Sequence, residues 1–194
     1  MIKSCLVGTH STGKSTLLEA LRKETLIQVR DQTPPETLEL ISSPTRMLRE
    51  KGFKINDDAK NYDQTQLLCA TYDVQNFYLK KSFISDRGAL DTLIYTKYLF
   101  EEKKVSERVY RFVEMLGQEV ITGYTHIFYL ESEIPLVGDS VRSTDTKFRE
   151  KIDMMFQDKF LFWNRNFMPI FERVYSIHGT IEERVVQIKE YLMR

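Results

Sequence analysis

Apolar positions along the chain fall into two alternating kinds of segment. Short unbroken runs bounded by glycine, proline or a charge read as buried strands, and longer stretches with apolar residues three and four apart read as helices. Ile2–Val7 is the first run, and Lys14 to about Arg30 follows as a helix with Leu17, Leu18 and Leu21 on one face. Pro34-Pro35 interrupts helix continuation, and Leu38–Ile41 reads as a second strand. Asp57–Leu79 is mostly helical in pattern, with Leu67, Leu68 and Val74 among polar residues. Phe83-Ile84-Ser85 closing on Asp86 forms a third strand. Ala89–Phe100 and Ser106–Thr122 read as helices, the second closing at Gly123. His126–Leu130 is a fourth strand, Pro135–Thr146 a polar loop and Lys147–Phe162 a helix. Arg173–Ile177 is a fifth strand, and Ile181–Met193 a last amphipathic helix. Strands alternating with helices predict an α/β three-layer sandwich, a five-stranded parallel sheet with helices on both faces.

Composition narrows this picture rather than changing it. The chain has 194 residues, 42% hydrophobic and 29% charged, which suits one well-buried soluble domain over 1–194. No internal repeat, low-complexity tract or linker divides it. Twenty-eight basic residues balance 28 acidic ones, so no global field draws in nucleic acid or an anionic membrane. The lysine pairs Lys80-Lys81 and Lys103-Lys104 are the candidates for a local basic strip; solvated helix ends are the commoner origin of such pairs. Cys5 and Cys69 have no metal spacing and form no disulfide framework, and Cys5 is expected as a buried thiol within the first strand. With no secretory leader pattern and no apolar stretch near the ~18 residues needed to span a bilayer, a cytoplasmic location is expected. Oligomeric state is left open, a homodimer included.

The chemistry begins where the first strand ends. Gly8-Thr9-His10-Ser11-Thr12-Gly13-Lys14-Ser15-Thr16 carries the nucleotide-phosphate loop pattern of glycine, four residues, then Gly-Lys-Ser. Gly8 and Gly13 let the backbone curl so that several N–H groups face a β-phosphate, and the following helix adds its positive end. Lys14 is placed to reach β- and γ-phosphate oxygens, and the Ser15 hydroxyl to ligate Mg²⁺. Chance alone produces this pattern in on the order of one chain in a hundred of this size. His10 occupies an unconstrained position of the loop and is expected to face solvent.

Three further groups accompany the loop. Asp86-Arg87-Gly88 ends the third strand, and ligands of such sheets sit at the carboxyl ends of strands. Asp86 would then hold Mg²⁺, accept a proton from an acceptor hydroxyl, or cap the helix that starts at Ala89; Arg87 would point a guanidinium at phosphate or substrate. The segment from about 135 to 150 carries Asp139, Arg142, Lys147 and Arg149. A mobile basic lid there would place positive charge over a migrating phosphoryl group. The helix before the third strand offers Gln64, Gln66 and Tyr72, whose amides and ring suit a base or amide edge, although such side chains are more often solvated or half-buried. Trp163–Phe167 is a similarly ambiguous aromatic cluster.

The rest of the chain limits what the phosphate is used for. A guanine-reading Asn/Thr-Lys-x-Asp segment is absent: Thr96-Lys97 and Thr146-Lys147 are followed by Tyr98-Leu99 and Phe148-Arg149. No apolar strand closes on the Asp-Glu pair typical of motor ATPases. Gly8–Thr16, Asp86-Arg87-Gly88 with Asp91 and Tyr95, and Asp139-x-x-Arg142 with Phe148-Arg149 together resemble one family. It is the small AAA-like P-loop group that includes the ribosylnicotinamide kinase domain of bacterial NAD-biosynthesis regulators, similar in architecture to deoxynucleoside and thymidylate kinases. The resemblance implies a P-loop NTPase-type kinase dependent on ATP and Mg²⁺, with Asp86 as base or metal partner and Arg142 and Arg149 as lid. It also implies an acidic residue three positions before an arginine after strand two. Placing that arginine at Arg46 puts Ser43 where the acid belongs, so Asp86 serves alone, or Glu39 substitutes, or the acceptor differs. A nucleoside or nucleoside monophosphate is the expected acceptor. A hydroxyl on nucleic acid, or a nucleotide-binding regulatory role with little catalysis, are the alternatives.

Overall fold

The computed structural model describes residues 1–23, 38–77, 80–133 and 146–193. Five strands form one parallel sheet: β1 (Lys3–Val7), β2 (Glu39–Ile41), β3 (Phe83–Asp86), β4 (His126–Leu130) and β5 (Val174–Ile177), in the order β2-β3-β1-β4-β5. The helices are α1 (Lys14–Lys23), α2 (Pro44–Glu50), α3 (Asn61–Phe77), α4 (Ala89–Glu101), α5 (Glu107–Thr122), α6 (Thr146–Asn166), α7 (Met168–Phe171) and α8 (Ile181–Leu192), with a short 3₁₀ turn at Asn56–Asp58.

The predicted strands and the parallel three-layer architecture agree with the observed ones. Two differences have local causes. Helix α2 is too short for periodicity to reveal it, yet it carries its own start signal: Ser43 accepts from the Thr45 N–H at 3.2 Å, and Pro44 opens the helix. The run 57–79 is not one helix, because the 3₁₀ turn and Ala59-Lys60 separate from α3; its last two residues lie outside the described ones, as do Arg30 and Pro34-Pro35.

Each face of the sheet buries a separate core. On one side Leu17, Leu18 and Leu21 of α1 meet Leu6, Ile84, Phe128 and Ile188. Burying each such leucine contributes about 1.5–3 kcal/mol, which anchors the start of α1 directly after the phosphate loop. On the other side α3–α6 pack on Cys5, Val7, Ile127 and Tyr129. Cys5 is fully buried as expected, and that burial pushes its thiol well above the usual range. Trp163 belongs to this core, tilted against Phe160 with ring centroids 5.9 Å apart, whereas Phe167 is exposed, so the aromatic cluster divides between core and surface. The lysine pairs make no basic strip: Lys81 is bonded to Glu39 and Lys104 to Asp57.

Tyr124 ties this second core to the end of β3. Its hydroxyl accepts from Gln75 Nε2 on α3 (2.5 Å) and from the Ala89 N–H that starts α4 (3.2 Å). Gly88 has no room for more: a Cβ there would lie 2.7 Å from that hydroxyl and 3.0 Å from the Cys5 side chain. Gly88→Ala is therefore expected to destabilise the protein by about 1–3 kcal/mol in urea unfolding. The loss should shrink in a Tyr124→Phe background, because the closest atom is then gone. Equal losses in both backgrounds would disprove the contact's role.

Candidate active site

The parallel register sets Leu6 of β1 beside Asp86 of β3, and the ladder continues as the Arg87 N–H donates to Leu6 O at 3.0 Å. The connection from β1 crosses to β2 on one side while that from β3 crosses to β4 on the other. The carboxyl ends of these two strands thus form the switch point at which open α/β sheets bind ligands.

The loop between β1 and α1 is built by backbone geometry. Gly8 and Gly13 have φ of 138° and 85°, values that side-chain-bearing residues rarely adopt, and a Cβ on Gly8 would lie 2.6 Å from Leu130 O. Ser11 is also left-handed, at φ 60°. Lys14 folds back across the loop: Nζ donates to Gly8 O (2.8 Å), Thr9 O (2.5 Å) and Thr12 Oγ1 (2.9 Å). Burial, then the nearby Arg87 charge, lowers the Lys14 ammonium to about 7.

Asp86 faces this loop. Ser15 Oγ donates to Asp86 Oδ2 at 2.6 Å, while Oδ1 is buried with no hydrogen-bond partner. Asp86 does not cap α4. That role falls to Asp91, whose Oδ2 accepts from the Gly88 N–H at 3.1 Å, and burial raises its carboxyl to about 6. Arg87 has φ of 74°, strain of a kind that collects at functional sites. Its guanidinium is fixed by Asp91 (3.5 Å) and lies 5.8 Å from the Tyr95 ring centroid.

Two openings meet here. A groove of about 550 Å³ runs along residues 10–16 and is closed by Arg46, Arg49, Asp86 and Arg87. Beside it a narrow cleft is lined by Ser43, Asn56, Gln64, Arg87, Asp91 and Tyr95, among others. Its enclosed space of about 20 Å³ holds little more than one water. Ser43, Thr45, Ile55, Asn56 and Arg87 line both.

Several expected residues are placed differently from their sequence reading. His10 is buried, not solvent-facing: its ring stacks on Phe148 at 5.3 Å, and Tyr95 Oη lies 3.4 Å from Nδ1. Nothing in the local sequence signals this, because the covering ring comes from α6. Arg149 lies in the first turns of α6, 5% exposed, with its carbonyl accepting from Thr9 Oγ1 (3.3 Å). The described end of the expected lid is thus helix rather than loop, packed on the phosphate loop; Asp139 and Arg142 lie outside the described residues. Gln64 enters the cleft and accepts from Thr96 Oγ1 at 2.8 Å, and Arg46 lines the groove. Gln66 lines neither opening. Tyr72 lines a separate depression with Lys3, Phe83 and Gly123 at the opposite ends of the strands. Glu39 is also at that opposite end, paired with Phe83 in register and bonded to Lys81 at 2.9 Å, so it is no substitute for the acid absent at Ser43. Ser43 itself is engaged as the cap of α2.

A glycine-cradled loop at a parallel switch point, followed by a helix whose second residue bonds a strand-end aspartate, defines a P-loop NTPase-type domain. The match of a family model described as "AAA domain" to residues 3–184 places the chain in that family. Among solved structures, NadR protein in complex with NR superposes with a TM-score of 0.67 at 15% identity, covering 98% of this chain and 51% of that one. NadR in complex with NAD and AMP-PNP gives 0.66 at 17%, covering 97% and 49%. The chain therefore spans about half the length of NadR. Deoxyadenosine kinase from M. mycoides, with the products dCMP and a flexible dCDP bound, gives 0.67 at 16% and covers 98% of both chains. At these identities the likeness concerns the fold. No curated protein sequence matches the chain. No helix among the described residues is long and apolar enough to cross a membrane.

The lowered Lys14 value has a measurable consequence. Phosphate oxygens restore a favourable setting for the ammonium, so binding of ADP above pH ~7 takes up a proton, and affinity falls as pH rises further. Calorimetry at about pH 8 in two buffers of different ionisation enthalpy should register uptake of up to about one proton. Without ligand the sign is opposite. The unfolded lysine holds its proton up to ~10.4, so the Lys14 contribution to stability rises with pH between about 7 and that value. A binding enthalpy independent of buffer would refute the assignment.

Proposed function

We propose that the protein is an ATP-dependent kinase that moves the γ-phosphoryl group to a hydroxyl of a nucleoside. The observation that carries this reading is the shared wall of the two openings. Arg87 stands in the wall between the phosphate groove and a cleft whose walls offer the uncharged hydrogen-bonding groups of Ser43, Asn56, Gln64 and Thr92, with Asp86 next to it on the groove side. Arg87, the cation among the described cleft residues, is already paired with Asp91. That favours an uncharged nucleoside over a nucleoside monophosphate, whose phosphate would need a free cation. A nucleoside exceeds the space now enclosed, so the cleft widens on binding, as acceptor sites that close over substrate do.

The residues present suit both ATP and Mg²⁺. Gly8 leaves no volume for a side chain, Lys14 is held within reach of bound phosphates, and Ser15 Oγ with Asp86 makes an all-oxygen donor pair. The ion, held by Ser15 and Asp86 with the phosphates, would neutralise charge on the transferring group. Backbone N–H groups of residues 8–16 orient the β-phosphate, and Lys14 turns from its loop carbonyls to the β- and γ-oxygens. The acceptor oxygen forms a bond to the γ-phosphorus as the bond from that phosphorus to the β–γ bridging oxygen breaks, releasing ADP. The hydroxyl proton goes to Asp86 Oδ1, the buried oxygen without a protein partner. Arg87, fixed by Asp91, adds positive charge beside the reacting group; Arg149, which lines neither opening but whose charge acts on Lys14, and Arg142, from its sequence position, are assigned the same role.

A coupled ADP-release screen over nucleosides, nucleoside monophosphates, nicotinamide riboside and a short oligonucleotide tests the reading. Nucleoside-dependent release is expected; release only with the oligonucleotide, steeply lost with added salt, would move the acceptor to nucleic acid. ATP binding without any acceptor phosphorylation would support a regulatory module instead. Lys14→Ala should abolish turnover, and Asp86→Asn should lower kcat by at least about 100-fold with little change in ATP affinity. A fully active Asp86→Asn enzyme would remove Asp86 from the role of base.

A further inference from the structure

Behind the phosphate loop, on the side away from the groove, lies a wholly buried arginine. Arg184, in the first turn of α8, is 0% exposed. Each arm of its guanidinium is engaged. Nη1 donates to Thr12 O at 2.7 Å, Nε to Gly179 O at 2.9 Å, and Nη2 meets Glu133 Oε2 at 3.1 Å. Glu133 Oε2 also accepts from the Gly179 N–H at 2.9 Å, and this bond first, then Arg184, holds the exposed carboxyl below the ordinary range. Loop, β5–α8 turn and the end of β4 are therefore joined through one side chain. The turn is shaped for it: Gly179 is left-handed at φ 89°, and a Cβ there would lie 2.3 Å from Glu183 Oε2.

From this geometry we infer that Arg184 is a positioning residue for nucleotide phosphate, acting through the Thr12–Gly13 peptide. In a planar trans peptide the C=O and the next N–H point in opposite directions. Drawing Thr12 O outward onto Arg184 turns the Gly13 N–H toward the concave side of the loop. The adjacent carbonyls of Gly8 and Thr9 face the other way, onto Lys14 Nζ. The loop is thus held from two sides, by Lys14 within and Arg184 without, and the outer hold presets a donor before any phosphate arrives. Preset donors bind without the cost of ordering them. The guanidinium's planar fork matches these three acceptors, which lie spread around its edge; a lysine ammonium, a single point on a flexible stem, does not reproduce that spread. The inference rests on the loop's binding nucleotide, not on the identity of the acceptor.

The test compares ADP affinity, by calorimetry well below the unfolding temperature, in Arg184→Met, Arg184→Lys and Ile188→Ala proteins. Ile188 is equally buried on the same helix and packs in the apolar core with Leu17, Leu18 and Leu21, so Ile188→Ala lowers stability without removing a hydrogen bond to Thr12. Arg184→Met is expected to weaken ADP about tenfold or more, the size of a lost charge-assisted hydrogen bond. Arg184→Lys should fall between it and the parent, and serves alone if Arg184→Met does not fold. Ile188→Ala should bind ADP as the parent does. Parental affinity in the Arg184 variants, or a loss in Ile188→Ala that parallels its loss of stability, would overturn the inference. So would a parent that binds no ADP, which would remove the phosphate-loop reading as well. Weakened ADP binding in the Arg184 variants alongside a failed acceptor screen would leave the inference standing and reject the nucleoside kinase reading alone.

Discussion

One pairing sets the geometry of the candidate site: β1 against β3 in parallel, with Leu6 opposite Asp86. Parallel strands end at the same edge, so the loop that leaves β1 and the Asp86-Arg87 pair that ends β3 must emerge side by side. A shift of one residue would turn Asp86 to the other face of the sheet and separate its carboxylate from Ser15. The register is protected from both faces, by Leu17 and Leu18 beneath and by Ala89 and Leu90 above. Stability and chemistry are therefore not separable at this edge.

Around that pairing the site is assembled from elements of unequal rigidity. Asp86, Arg87, Asp91 and Tyr95 stand on a strand end and the helix it feeds, locked by the Gly88–Asp91 bond and by the Tyr124 hydroxyl. The opposing wall, with Ser43, Thr45 and Asn56, stands on a seven-residue helix and a 3₁₀ turn. On the proposed reading the reacting groups would sit on the firm side and the acceptor's entrance on the slighter one, which suits a site that must admit a substrate and yet hold catalytic groups to fractions of an ångström.

What the sequence disclosed follows from the range over which each signal acts. The strand, loop and helix from Lys3 to Lys23 announce themselves locally, through an apolar run, two glycines and Gly-Lys-Ser. Asp86 was legible for the same reason, since strand end and charge are adjacent in the chain. His10 was not, because its burial depends on Phe148, a ring from far along the chain. Arg149 read as a lid residue because its helix starts just after a polar segment, and only packing shows that it turns inward. Tyr72 failed for a geometric reason. It shares α3 with Gln64 but lies about 12 Å further along that axis, enough to carry it from one end of the sheet to the other. Ser43 and Pro44 carry a local cap signal, but a serine reads equally as a cap or as a missing acid until α2 is seen to start there.

The inward turn of Lys14 has one more implication. Its nitrogen is already hydrogen-bonded to three neutral oxygens of its own loop, although no counterion fully offsets its burial. A lone phosphate, offering a single charged group, competes poorly against that arrangement for one lysine. A di- or triphosphate spans the loop and meets Lys14 together with the backbone donors, so the exchange becomes favourable only for a chain of phosphates. Under the proposed reading, the loop's resting hydrogen bonds would act as a threshold that selects by the number of linked phosphates rather than by charge alone.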